Sequence, residues 1–378
     1  REPITAAMVS ATCLCAIGDR HKAPHAVKSI VYLNYARLSA VCWLSSYGVQ
    51  KAFQMSSRYF CTLFDRNYLL KGVAMLRSLK KHCPTAIVHV LCMDEDTRQI
   101  IERLSMSDVH CLSLPELETD EILKAKADRG VAEYCWTLSS CVTWYVLNQN
   151  PEIDFITYLD ADLLFYSPIE PLFDEIGASS IAIIEHRFSD RMKSYEVNGR
   201  FCVEWVSFRR DEQGLACLSR WRQQCIEWCY YRLEDGKMGD QKYLDEWPDR
   251  YRGVHILQHP GAGIAPWNYV RYRFERDNSG GITVDGSPLV FYHFHQFQLL
   301  ENGRFDRISD FYASEKKEPE DIYSDYEAQL DDVVRDVRSI VPGFSCGMKP
   351  AAIFQPRRLA HRYLPKWTKD FVKRFRRL

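Results

Sequence analysis

Short apolar runs alternate with helical periods from Arg58 onward, and no other feature narrows the possible folds as far. Arg58–Phe64 reads as a buried strand, after which Asp65 and Asn67 supply turn or cap chemistry. Leu69, Val73, Leu76 and Leu79 recur at helical spacing until Pro84. Ala86–Cys92 is a second strand, Asp94-Glu95-Asp96 opens a helix, and 109–112 is a short third strand. This β–α–β–α–β order opens a parallel sheet with crossover helices. Further on, the pattern predicts a helix over 132–147, strands over 153–159, 181–185 and 201–208, helices over 211–233 and 239–247, and a late strand over 289–294. The expected class is α/β, a mostly parallel central sheet flanked by helices, with no internal repeat.

Residues 1–56 are poorly patterned and read as an N-terminal extension, with a partial helix at most. Residues 57–310 form the main domain, and 311–378 a helical C-terminal region ending in a basic amphipathic tail. In that tail Leu364, Trp367, Phe371, Val372 and Phe375 interleave with Lys and Arg, and Asp370 is the only acid from Lys349 on. Two readings stand for it: contact with an anionic membrane, or a solvated terminal helix. The net charge of −1 provides no global field for nucleic acid. The best apolar run, 38–49, falls short of the ~18–20 residues a membrane span needs. The 14 cysteines are scattered through apolar runs without a CxxC pair, which reads as reduced core thiols in a cytoplasmic protein. Arg1 rather than Met opens the chain, which reads as a start other than the native one or a processed terminus.

The chemistry concentrates in Tyr158-Leu159-Asp160-Ala161-Asp162. In an extended chain, residues i and i+2 point to the same side. Two carboxylates so placed at a strand end can share a hard divalent cation, and Ala161 leaves room between them. The competing reading is a solvated turn, which the apolar run Leu163-Leu164-Phe165 disfavours. His293 and His295 share one face of the late strand; either can add an imidazole to that metal, or both can be satisfied strand histidines. Gly239-Asp240-Gln241 opens a helix, where Asp240 is a cap or faces a substrate. The loop from His259 through Gly261 and Gly263 to Trp267 has small residues that let a backbone approach phosphates, and an indole face for a sugar.

Over residues 57 to about 300 these features resemble the retaining glycosyltransferases of the GT-A fold. Among them, family 8, with the bacterial lipopolysaccharide galactosyltransferases and glycogenin, is most similar. Phe64-Asp65-Arg66-Asn67-Tyr68 resembles that family's uridine-binding segment, Tyr158-Leu159-Asp160-Ala161-Asp162 its Y-L-D-x-D motif, and Asp240-Gln241 its D-Q pair near the reacting sugar. The resemblance implies Mn²⁺ (or Mg²⁺) on Asp160, Asp162 and His293. It implies a UDP-sugar donor against Asp65, Asn67, Tyr68 and Ala161, and retaining transfer of a hexose to a saccharide, lipid-linked or protein acceptor. Two departures stand out. Phe201-Cys202-Val203-Glu204 replaces F-N-x-G, and Glu204 is expected to crowd the sugar where glycine admits it. The family's K-P-W lysine after the metal histidine is missing, so pyrophosphate contacts are assigned to His259 or the Gly261–Gly263 loop. The alternatives are a nucleotidyltransferase on a similar sheet, against which the glycine-free first loop argues, and a non-catalytic binding derivative. The implied location is cytoplasmic, at the inner face of a membrane.

Overall fold

The computed structural model describes residues 57–314 and 316–350. The readings of 1–56 and of the basic tail beyond Pro350 lie outside the described residues. In chain order the strands that position the site are β1 (Arg58–Phe64), β2 (Ala86–Cys92), β3 (Val109–Ser113), β4 (Phe155–Leu159), β5 (Leu163–Phe165), β6 (Ile181–Glu185), β7 (Phe201–Arg209) and β8 (Val254–Leu257). A small antiparallel meander follows, β9 (Phe274–Arg276), β10 (Ile282–Val284) and β11 (Ser287–Pro288), and then β12 (Phe291–His293). Seven of these strands make the central sheet, in the order β3-β2-β1-β4-β7-β6-β8. Every neighbouring pair in it is parallel except the two that β7 makes, with β4 and with β6. The expected α/β class with a mostly parallel sheet and flanking helices is what the chain adopts.

Alternation along β1 shows how the sheet feeds two cores. Phe60 and Phe64 pack on one face, Cys61 and Leu63 on the other. The first face carries the Leu69–His82, Glu95–Leu104 and Glu320–Ile340 helices; the second carries Val131–Gln149 and Glu212–Glu227. Strands covered on both sides need to be apolar throughout, which is why 58–64 and 86–92 read so clearly. Trp205 of β7 anchors the first core, stacked on Phe291 at 5.7 Å and edge-on to Phe60 and Phe173. Among the described residues, no helix is long and apolar enough to cross a membrane, and eleven cysteines are free thiols.

Three elements differ from expectation. The helix predicted over 211–233 ends at Glu227, because the Arg129 guanidinium takes the carbonyls of Cys225 and Ile226 and the Tyr243 hydroxyl takes that of Trp228. Side chains thus satisfy the last turn where a further turn would have. The helix predicted over 239–247 is a turn at Gly239, a 3₁₀ segment Lys242–Glu246 and one α-turn Trp247–Arg250 with Pro248 in its first turn. The late strand shrinks from 289–294 to Phe291–His293, matching the short β5 it pairs with.

Candidate active site

Strand β4 runs out at Leu159, and Asp160, Ala161 and Asp162 make the turn into β5. β5 leaves the central sheet and pairs antiparallel with β12, which puts Leu163 opposite His293. The Phe294 N–H extends this ladder by donating to the Asp162 carbonyl at 2.8 Å. Register therefore brings together two residues that the sequence holds far apart. His293 Nε2 lies 3.0 Å from Asp162 Oδ1 and 3.9 Å from Asp160 Oδ2. Ligand atoms of Asp162, His293 and His295 all fall within 4.8 Å of one another, with Asp160 one step outside and partly exposed.

Charge in the cleft is sharply divided. Burial works against ionisation of Asp162, yet His293 and Lys71 outweigh it and hold the carboxyl well below the usual carboxylate range. Burial likewise opposes a charged His293, but contact with Asp162, Cys202 and Glu204 drives its pKa well up. Asp160 is pushed up to about 7, chiefly by burial; Asp162, Asp240 and Glu204 add to this while His293 opposes it. His295 is lowered to about 4 by burial and by the neighbouring His293, so its ring is neutral at pH 7 with a lone pair to give. Two carboxylates and two imidazoles form a mixed oxygen and nitrogen donor set. That set suits Mn²⁺ better than the all-oxygen cages of Ca²⁺ or Mg²⁺. The residues present fit a divalent transition metal.

The other expected site residues divide into those the structure brings here and those it does not. Tyr68 comes to the edge of the cleft, where the charge of Asp162, then burial and Asp160, push its phenol pKa up. Asp65 closes an Asx turn: its carboxylate accepts from the main-chain N–H groups of Asn67 and Tyr68 and from Asn67 Nδ2. Asp240 is buried rather than capping: Ser139 Oγ donates to its carboxylate at 2.8 Å, and Trp221 Nε1 donates to its carbonyl. Desolvation pushes its carboxyl up to about 7. Gln241 stands at the N-cap position of the 3₁₀ segment without a capping side-chain bond; its side chain instead donates to the Asn198 carbonyl at 3.0 Å.

The glycine loop departs from its expected role. His259 is half-buried, its Nδ1 accepting from the Gly261 N–H while its main-chain N–H donates to the Glu175 carboxylate. The Gly261 carbonyl accepts from Val290 and Phe291, and a Cβ at Gly261 would stand 1.9 Å from the Pro288 carbonyl oxygen. Gly263, at φ +71°, admits Ile184. Both glycines are buried and make room for protein, not for a phosphate. Trp267 is buried too, edge-on to His293 and His295, with Nε1 donating to the His186 carbonyl, so no indole face is open to a sugar.

Two residues were missed or misread in the sequence. Lys71, on the first helix, is 6% exposed, with Nζ 3.9 Å from Asp162 Oδ2 and 4.7 Å from the Tyr68 ring centre. Its signal was present: it is the one charge in Leu69-Leu70-Lys71-Gly72-Val73-Ala74-Met75-Leu76. Glu204 does not project into the cleft to crowd a sugar. It is fully buried, and its Oε2 is 2.6 Å from His293 Nδ1.

No family model matches the chain. It is 31% identical over 299 residues to the uncharacterised protein YfnD of Bacillus subtilis, covering 78% of this chain and 96% of that one. A second uncharacterised protein of the same organism, YfnF, is 30% identical over 300 residues, covering 77% and 97%. Among solved structures, an active-site mutant of LgtC superposes with a TM-score of 0.46 at 14% identity, over 72% of this chain and 95% of that one. The glycosyltransferase GlyE of Streptococcus pneumoniae superposes with a TM-score of 0.45 at 14% identity, over 75% and 64%.

Proposed function

The chain belongs to the family of the Bacillus subtilis proteins YfnD and YfnF, and we propose that it is a metal-dependent glycosyltransferase of the GT-A type. It moves a hexose from a UDP-sugar to an acceptor hydroxyl with retention of configuration. The observation that carries this reading is the meeting of Asp160, Asp162, His293 and His295 with a buried Lys71 beyond the carboxyl end of β4. Ligands bind at such strand ends in open α/β sheets.

Asp162, His293 and His295, together with Asp160, would hold a divalent cation. The chemistry such a cation would supply is neutralisation of negative charge on a diphosphate leaving group. Lys71 supplies a fixed positive charge on the other side of Asp162, in the role that the absent K-P-W lysine would fill. Tyr68 and the Asp65–Asn67 turn edge the nucleotide side, and Asp240 and Gln241 the sugar side. Burial pushes the Asp240 carboxyl up to about 7, which suits it to exchange hydrogen bonds with a sugar hydroxyl. Glu204, whose crowding would favour a non-catalytic derivative, is fully buried with Oε2 2.6 Å from His293 Nδ1, which supports the catalytic reading.

The test is release of sugar from UDP- and GDP-sugars, with Mn²⁺ and with chelator. Turnover is expected only with metal and is expected to fall by at least 100-fold in Asp162→Ala. Undiminished turnover in Asp162→Ala would refute the metal role.

A further inference from the structure

Glu204 is an ionisable side chain with no solvent exposure, and the other residues of its strand up to Phe208 are apolar or weakly polar. Its environment gives it one strong partner, His293 Nδ1 at 2.6 Å. A carboxylate has no proton to give, so the contact requires the hydrogen on Nδ1. The lone pair of the neutral ring then sits on Nε2, the nitrogen that faces Asp162 and Asp160. Its main chain ties in the other arm: the Glu204 carbonyl accepts from Asp160 N–H at 3.2 Å. One residue thus holds both the first aspartate and the histidine. The strand geometry favours this placement. β7 and β6 slip register here, Ile184 lying opposite Cys202 while Ala182 lies opposite Ser207, and such irregularities re-aim side chains beside active sites.

Cys202, Glu204 and His293 also bring ligand atoms within 4.8 Å of one another. This second cluster is not a second metal site. It surrounds Nδ1, which Glu204 already occupies, and burial with the Glu204 charge raises the Cys202 pKa so that it stays a thiol. Glu204 Oε1 has no hydrogen-bond partner among the described residues. A buried carboxylate satisfied on one oxygen only is costly to a fold, and a side chain retained for stability alone would be apolar.

We propose that Glu204 is a positioning residue for the metal centre, fixing the tautomer and orientation of His293 and strengthening Nε2 as a ligand, in place of the small residue expected there. The inference rests on the metal reading above. Outer carboxylates of this kind typically govern about 10–100-fold in metal affinity.

The experiment is Mn²⁺ binding to the full chain by calorimetry and by loss of the free Mn²⁺ paramagnetic resonance signal, in parent, Asp162→Ala, Glu204→Leu and Glu204→Gln. Metal-free thermal melts report whether each variant folds. Glu204→Leu is expected to bind at least 10-fold more weakly. Glu204→Gln, which keeps an acceptor for Nδ1–H but loses the charge, is expected to fall between it and the parent. Should the leucine variant not fold, the glutamine variant decides. Affinities within twofold of the parent in the folded variants, with Asp162→Ala binding lost, overturn this inference alone. A folded parent that takes up no Mn²⁺ overturns the metal reading and this inference with it.

Discussion

Lys71 shows how one side chain acquires meaning from its neighbours. An ammonium that is 6% exposed loses most of its hydration, and burial accordingly lowers its pKa despite the attraction of Asp162. Lys349 adds to that lowering, so two cations approach the cleft. A buried charge whose partners among the described residues are a 3.9 Å ion pair and a ring face is poorly compensated. Lys71→Met keeps the volume and removes the charge. The variant is expected to melt no lower than the parent. Its affinity for UDP with Mn²⁺ is expected to fall by about 10–100-fold, the worth of one charge-assisted hydrogen bond. Calorimetry with UDP checks this; unchanged affinity would remove Lys71 from the diphosphate site. Glutamate at 204 follows the same logic with the opposite sign, since its charge is tolerable only beside His293.

At the scale of elements, the site is made by two strand pairings and a loop. β4–β7 brings Glu204 beside Asp160, β5–β12 brings His293 beside Asp162, and the 259–268 loop closes over them. Gly263 makes that closure possible: a Cβ there would stand 2.7 Å from Ile184 Cδ1 and 3.5 Å from Glu204 Oε1, at a φ that L-residues rarely adopt. Gly263→Ala is therefore expected to destabilise the chain by about 1–3 kcal/mol, read as a lower urea midpoint. Gly280→Ala, in a turn with open space around it, serves as the control for positive φ without crowding. The strands were legible because their apolar runs are local signals. The end of the Glu212–Glu227 helix was not, because Arg129 and Tyr243 reach its carbonyls from distant segments.

For the whole molecule, the balance of buried acids sets how stability varies with pH. Asp240 has a folded pKa of about 7 against an ordinary 3.8. Between those values the native state binds more protons than the unfolded chain, so stability falls as pH rises from about 4 to 7 and levels off above. Asp162 works the other way, its contribution being lost only as pH drops below the usual carboxylate range. Asp240→Asn removes the first term. Its metal-free melting temperature is expected to vary less between pH 4 and 7 than the parent's, and to exceed it at pH 8. The gain is bounded at roughly 4 kcal/mol by about 1.4 kcal/mol per pH unit. An Asp240→Asn profile that runs parallel to the parent's across this window would refute the assignment.

The sequence by itself determined the alternating β/α order, the strand that runs out just before Asp160, and the residue types of the proposed metal site, because periodicity and strand-end chemistry are written in adjacent residues. Only the tertiary structure decided which of those residues meet. Strand register set His293 against Asp162 and Glu204 against His293. Packing turned Gly261, Gly263 and Trp267 inward, and burial made Lys71 part of the cleft. Register and burial depend on pairings between segments far apart in the chain, and no local pattern encodes them.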